Sequence, residues 1–121
     1  MALQGAMLFV KDLERMTAFY NEVLGLTVVA ETRLPDWVEF RSNGSRFSLH
    51  AIPPEIAANI NIDAPPSPRE RSVTKLTFQV ADVNATLSKI EAMGLPLLRR
   101  PWGEVEATDP EGNVFALTTN H

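Results

Sequence analysis

Met7-Leu8-Phe9-Val10-Lys11-Asp12-Leu13 is a short apolar run that breaks on a charged pair, and Met16, Phe19, Tyr20, Val23 and Leu24 then recur at helical spacing. The stretch predicts a strand feeding an amphipathic helix over about residues 13–24. Asp12 can accept the free N–H groups of the first turn, and Gly25 can take the left-handed conformation that ends the helix. Leu76-Thr77-Phe78-Gln79-Val80-Ala81-Asp82 begins the same way, with Val83, Leu87, Ile90 and Met93 on one face before Gly94-Leu95-Pro96. Val10-x-Asp12 and Gly25-Leu26 therefore correspond to Val80-x-Asp82 and Gly94-Leu95. The chain contains a second copy of its own opening.

Strand-like stretches follow each helix: residues 27–32, 37–41 and 46–52 in the first half, then 97–99, 104–108 and 114–118 in the second. Asn43-Gly44 and Asp109-Pro110-Glu111-Gly112-Asn113 supply the fixed and positive-φ positions of tight reversals. Both halves thus read βαβββ, an α+β protein. The first module is expected over about residues 1–52 and the second over about 73–121. Residues 53–72 hold five of the nine prolines and read as an exposed connector or a flap. Each half is too small to bury its own sheet face and helix well, so the two are expected to form a single domain.

A length of 121 residues with 45% apolar content fits one folded domain and excludes a disordered or fibrous chain. Without cysteine there is no disulfide, no thiolate metal site and no thiol nucleophile, which suits a reducing compartment. No window resembles a membrane span, and the N-terminus lacks the basic start and long apolar stretch of a secretion signal. A cytoplasmic location without membrane association is expected. The net charge of −4, with no basic cluster beyond Arg99-Arg100, leaves no footprint for nucleic acid.

Alternation along the strands separates a core face from a second face. Ala6, Leu8 and Val10 fall on the helix side with Phe47, Leu49 and Ala51, leaving Gly5, Met7 and Phe9 with Arg46, Ser48 and His50. In the second half Leu76, Phe78 and Val80 go to the core, while Lys75, Thr77 and Gln79 share the other face, and Phe115 and Leu117 oppose Val114, Ala116 and Thr118. This second face mixes polar with apolar groups, with Trp37 and Trp102 at nearby strand ends. Such a mixture is found on plain solvent-facing sheets and on the walls of small-molecule pockets.

The Val10-x-Asp12-Leu13 start with Phe19-Tyr20, the Leu24-Gly25-Leu26 ending, Phe47-Ser48-Leu49-His50, and Pro101-Trp102-Gly103 with Asp109-Pro110-Glu111-Gly112-Asn113 resemble the glyoxalase, bleomycin-resistance and extradiol-dioxygenase (vicinal oxygen chelate) superfamily. The resemblance implies two βαβββ modules forming a cupped mixed sheet with helices on its outer face, a ligand in the hollow, and commonly a homodimer. Enzymes of the group hold a divalent metal with four side chains, one on the first and one on the last strand of each module. The corresponding positions here are Gly5, Ser48, Lys75 and Ala116, and none is a normal ligand. A displaced site built from His50, Gln4, Glu104 and Glu106 is the counter-hypothesis. His121, at the terminus, is expected to be disordered.

Three functions follow. In the first, a protein without metal or other cofactor binds a drug or metabolite. Phe9, Trp37 and Trp102 supply flat apolar area, Arg46, His50 and Lys75 meet its oxygens, and Met7, Ser48, Thr77, Gln79 and Ala116 complete the wall. In the second, the same hollow is a metal-independent isomerase, lyase or cyclase in which a desolvated Lys75 of lowered pKa acts as base or as a cation stabilising an enolate, with His50 or a Glu as proton partner. The third is a metal-dependent lyase or dioxygenase with the displaced site. For stability, Gly112→Val is expected to damage the fold and Lys75→Met to leave it nearly unchanged.

Overall fold

The computed structural model describes residues 1–119, so His121 lies outside the described residues. The chain divides into two compact units, the first ending at Asn61 and the second starting at Ile62.

The first unit holds β1 (Gly5–Val10), α1 (Leu13–Ala18), β2 (Thr27–Val28), β3 (Trp37–Ser42), β4 (Ser45–Ala51) and the short α2 (Pro54–Ala57). Its sheet runs β1-β4-β3-β2, with β1 parallel to β4 and the other pairs antiparallel. Asp12 caps α1 by accepting from the Arg15 N–H at 3.0 Å. The helix packs on β3 and β4. There Tyr20 meets Phe47 edge-on at 5.0 Å and Phe40 stacks on Phe47 at 5.7 Å, beside buried Met16, Phe19, Val38 and Leu49.

The second unit repeats the plan with β5 (Leu76–Gln79), α3 (Val83–Ala92), β6 (Leu97–Arg99), β7 (Val105–Thr108) and β8 (Val114–Thr118), in the order β5-β8-β7-β6. β5 is parallel to β8, and the remaining pairs are antiparallel. Asp82 caps α3 through the Ala85 N–H at 3.0 Å, and α3 packs on β6 and β7. Two four-stranded mixed sheets, each with its helix on one face, match the α+β reading and the internal repeat.

Three details differ from the sequence reading. The helix over 13–24 is α-helical only to Ala18 and widens into a π turn over Phe19–Val23. The wider turn buries Phe19 and Tyr20, consecutive residues that a regular helix would splay apart. The stretch 27–32 pairs only at Thr27 and Val28, and Ala30–Thr32 turn into a 3-10 helix as this edge strand leaves the sheet. Residues 53–72 are not one free connector either. Lys11 Nζ donates to the Ala57 carbonyl at 2.9 Å and to that of Ile60, which ties α2 to the first unit. Arg69, in turn, donates from its backbone N to Gly112 O at 2.8 Å and from Nε to Glu111 O at 3.1 Å, which ties the remainder to the second.

That second anchor rests on the 109–113 reversal. Buried Asp109 accepts from the backbone N–H groups of Glu111 at 2.9 Å and Asn113 at 3.0 Å, and from Asn113 Nδ2 at 2.8 Å. Gly112 sits at φ +91°, and a Cβ there would stand 2.5 Å from the Ser67 carbonyl oxygen.

Candidate functional site

The register places the residues singled out from sequence on the sheet face away from the helix in each unit. In the first, Met7 pairs with Ser48 and Phe9 with His50 across β1 and β4, and His50 pairs with Trp37 across β4 and β3. Phe9 is 62% exposed and Met7 41%, whereas Ser48 is buried. The His50 ring lies 5.6 Å from the Phe9 ring and 6.0 Å from the Trp37 ring. Its Nδ1 lies 2.9 Å from the Ala51 carbonyl oxygen and its Nε2 4.0 Å from the Asp36 carboxylate. Aromatic area with one imidazole at its centre offers stacking and a single polar handle. Arg46 stands on the same face, beside Gly5.

A cavity of about 790 Å³ opens at the far end of β1 and β4, walled by Pro35, Pro53, Pro54 and Ala57. Of the residues singled out from sequence it touches only His50. Two of its charged lining residues have structural duties: Lys11 holds the carbonyls of α2 and Asp12 caps α1, while Glu14 and Asp36 also line it.

In the second unit Thr77 pairs with Ala116, Thr77 and Gln79 are exposed, and Ala116 is buried. Lys75 is engaged by carboxylates of its own unit. Its ammonium donates to Glu106 Oε2 and lies 4.0 Å from Glu104 Oε1. Arg100 brings Nη2 to 2.7 Å and Nε to 2.9 Å from Glu106 Oε1, and Nη1 to 2.8 Å from Glu70. Glu106 is 1% exposed, so a buried carboxylate is clamped between two cations. Burial raises the Glu106 carboxyl, but the hydrogen bonds from Lys75 and Arg100 outweigh it and hold the group below its ordinary value. Conversely, the hydrogen bond to Glu106 pushes Lys75 above its ordinary value. This corrects the expectation of a lowered lysine pKa: a lysine held by a carboxylate is a fixed cation and a poor base.

Trp102 is 69% exposed, with Nε1 donating to Glu104 at 3.1 Å. It lines a cavity of about 220 Å³ with Lys75, Glu106, Arg100, Glu70 and Arg69. Trp102 and Lys75 thus share one unit, Trp37 and His50 the other. The sequence reading missed Arg100 and Glu70. Arg99-Arg100 was legible only as a basic pair, and the contact to Glu70 spans 30 positions.

The side chains present do not fit a metal of the superfamily kind. Gly5 and Ala116 offer no donor, Ser48 offers one hydroxyl, and the Lys75 ammonium is engaged by Glu106. Moreover, a Cβ at Gly5 would stand 2.5 Å from the Arg46 carbonyl oxygen, so that position cannot take any ligating residue without moving the backbone. The displaced set fits no better. Glu106 is taken by Lys75 and Arg100 and Glu104 receives the Trp102 indole; no three His, Asp or Glu side chains form a ligand group among the described residues. Also among the described residues, no helix is long and apolar enough to cross a membrane.

A lactoylglutathione lyase structure from Agrobacterium tumefaciens is 28% identical, with a TM-score of 0.61, over 96% of this chain and 91% of that one. A protein of unknown function from Agrobacterium tumefaciens str. C58 is 26% identical, with a TM-score of 0.63, over 97% and 92%. The fosfomycin resistance protein FosX from Listeria monocytogenes shares the fold at 20% identity and a TM-score of 0.69, over 99% and 91%. Among curated proteins no match is found. The family model of the Glyoxalase/Bleomycin resistance protein/Dioxygenase superfamily covers residues 2–117, and the chain belongs to that superfamily.

Proposed function

We propose that this chain is a metal-independent binding protein of the glyoxalase/bleomycin-resistance type, holding a small aromatic or anionic metabolite or drug. The observation that carries the reading is the open face of the first module, where Phe9 and Met7 stay exposed beside the His50 and Trp37 rings. An exposed aromatic cluster with a few polar groups at its edge suits a planar ligand that brings an oxyanion. Arg46 is a cation on that face, and Lys75, held by Glu106, is a cation on the corresponding face of the second module. The lack of cysteine suits a cytoplasmic protein, and a homodimer is part of the proposal because relatives of this fold commonly pair.

An enzyme is the second reading, favoured by the 28% identity to a lactoylglutathione lyase. Lys75 would then act as an electrostatic anchor for a developing oxyanion and His50 as the proton carrier. The ion pair to Glu106 argues against Lys75 as the base.

Titration of the intact chain with 1-naphthoate, an aromatic carboxylate, followed by tryptophan fluorescence tests the first reading. Saturable quenching is expected, weakened about tenfold or more in Phe9→Ser because the ring supplies most of the contact area. Quenching untouched by Phe9→Ser removes the first-module face from the site.

A further inference from the structure

At the Gly44 end of the first sheet, Gly5, Arg46, Arg41 and Thr27 stand side by side across β1, β4, β3 and β2. Arg41 and Arg46 are direct cross-strand partners, so both guanidinium side chains leave the same face. Like charges directly opposite each other in a sheet repel. Among the described residues, neither has a carboxylate within 4.0 Å. Glu39 follows on this face, paired with Ser48, and it too makes no ion pair there. The second module differs: Glu106, one step beyond the Ala107–Phe115 pair, occupies the place of Glu39 and is held by Lys75 and Arg100.

The backbone beneath the arginines is fixed. Arg46 N donates to the Gln4 carbonyl at 2.8 Å, and β1 approaches so closely at Gly5 that no side chain there could cover Arg46. Arg41, Arg46, Gln4, Ser42, Ser45 and Glu39 line a cavity of about 350 Å³.

We infer that the Arg41–Arg46 pair is an anion seat at the end of the ligand face, taking a phosphate-class dianion such as the terminal phosphoryl group of a small molecule. Each guanidinium presents two parallel N–H donors, and two guanidiniums carry two charges. A tetrahedral dianion satisfies both, whereas a carboxylate has one charge and two oxygens. The inference deepens the proposed function and rests on it, in that Arg46 was already placed on the ligand face; Arg41 and the anion class are new.

Calorimetric titration of the intact chain with inorganic phosphate tests it, at constant ionic strength and about pH 8, where the phosphate is a dianion. A saturable site is expected that weakens about tenfold or more in Arg41→Gln and in Arg46→Gln, while acetate binds at least about tenfold more weakly than phosphate. Glu39→Gln, which removes the nearest negative charge on the face, should tighten phosphate binding a few-fold, and Lys89→Gln on α3 should not change it. Phosphate should also raise the Tm of the parent chain and not that of Arg41→Gln, which confirms that the variant is folded and has lost the site. Non-saturating heats, phosphate binding unchanged in Arg41→Gln, or acetate bound as tightly as phosphate would each overturn the inference. Because phosphate has no apolar part, Phe9→Ser should bind it normally. A parent chain that binds phosphate saturably but does not bind naphthoate refutes the wider reading alone.

Discussion

The two modules share one topology and one acidic position, yet they treat that acid in opposite ways. Glu106 in the second module is buried and closed off by Lys75 and Arg100. Glu39 in the first has a glycine where the second has Lys75, and its neighbouring arginines stand unpaired with it. The second face has therefore spent its charges on itself, while the first keeps aromatic rings and cations available. A duplicated fold can thus hold one self-neutralised face and one face whose arginines make no ion pair among the described residues, because a few face positions change without touching the helix-packed core.

The comparison can be broken most severely at the turns. Gly112→Val should cost about 4 kcal/mol or more, since it combines a positive φ with a clash against Ser67; at Gly44, whose Cβ would meet nothing within 4 Å, the same change should cost only about 1–2 kcal/mol. Urea melts of both variants check the ranking. Next, Gly5→Ala should cost about 2 kcal/mol because β1 would have to move off Arg46, and Gly5→His should lose stability without gaining metal affinity.

Glu106→Ala should cost about 1–3 kcal/mol, as it leaves Lys75 and Arg100 facing each other without their shared carboxylate. Lys75→Met is expected to be destabilising too, which corrects the sequence expectation of a neutral change, since it removes one of the two cations on a buried carboxylate. The pH dependence follows from the directions of the shifts. Glu106, lowered on folding, contributes stability that is fully present above the unfolded carboxylate value of about 4.3 and is lost as pH falls through its folded value. Lys75, raised on folding, contributes stability that is complete below about 10.4 and is lost as pH climbs through its folded value. Chemical denaturation of Glu106→Gln across pH should show a flatter acid limb than the parent. The smallest effect belongs to Phe9→Ser, which should shift stability by no more than about 0.5 kcal/mol while weakening naphthoate binding about tenfold or more.

Strand parity and helix caps were legible because they are local. Asp12 and Asp82 announce their helices, and the alternation through Met7, Phe9, Ser48 and His50 matches the register. The Glu106 cluster was not legible, since it joins residues 70, 75, 100 and 106 through a buried carboxylate that reads in sequence as a surface charge. Nor was the Arg41–Arg46 pair, which depends on the hairpin register around Gly44. The π turn at Phe19 escaped because Phe19 and Tyr20 both read as part of one regular helical stripe, although consecutive residues of a regular helix diverge and only the wider turn buries both.

The central claim, that the first-module face binds its ligand without a metal, is tested most directly by measuring metal content and naphthoate affinity on the same sample before and after exhaustive chelation. The account predicts substoichiometric metal at the outset and the same affinity throughout. Stoichiometric zinc, iron, manganese or nickel, with binding lost on chelation and recovered on adding the metal back, would contradict it.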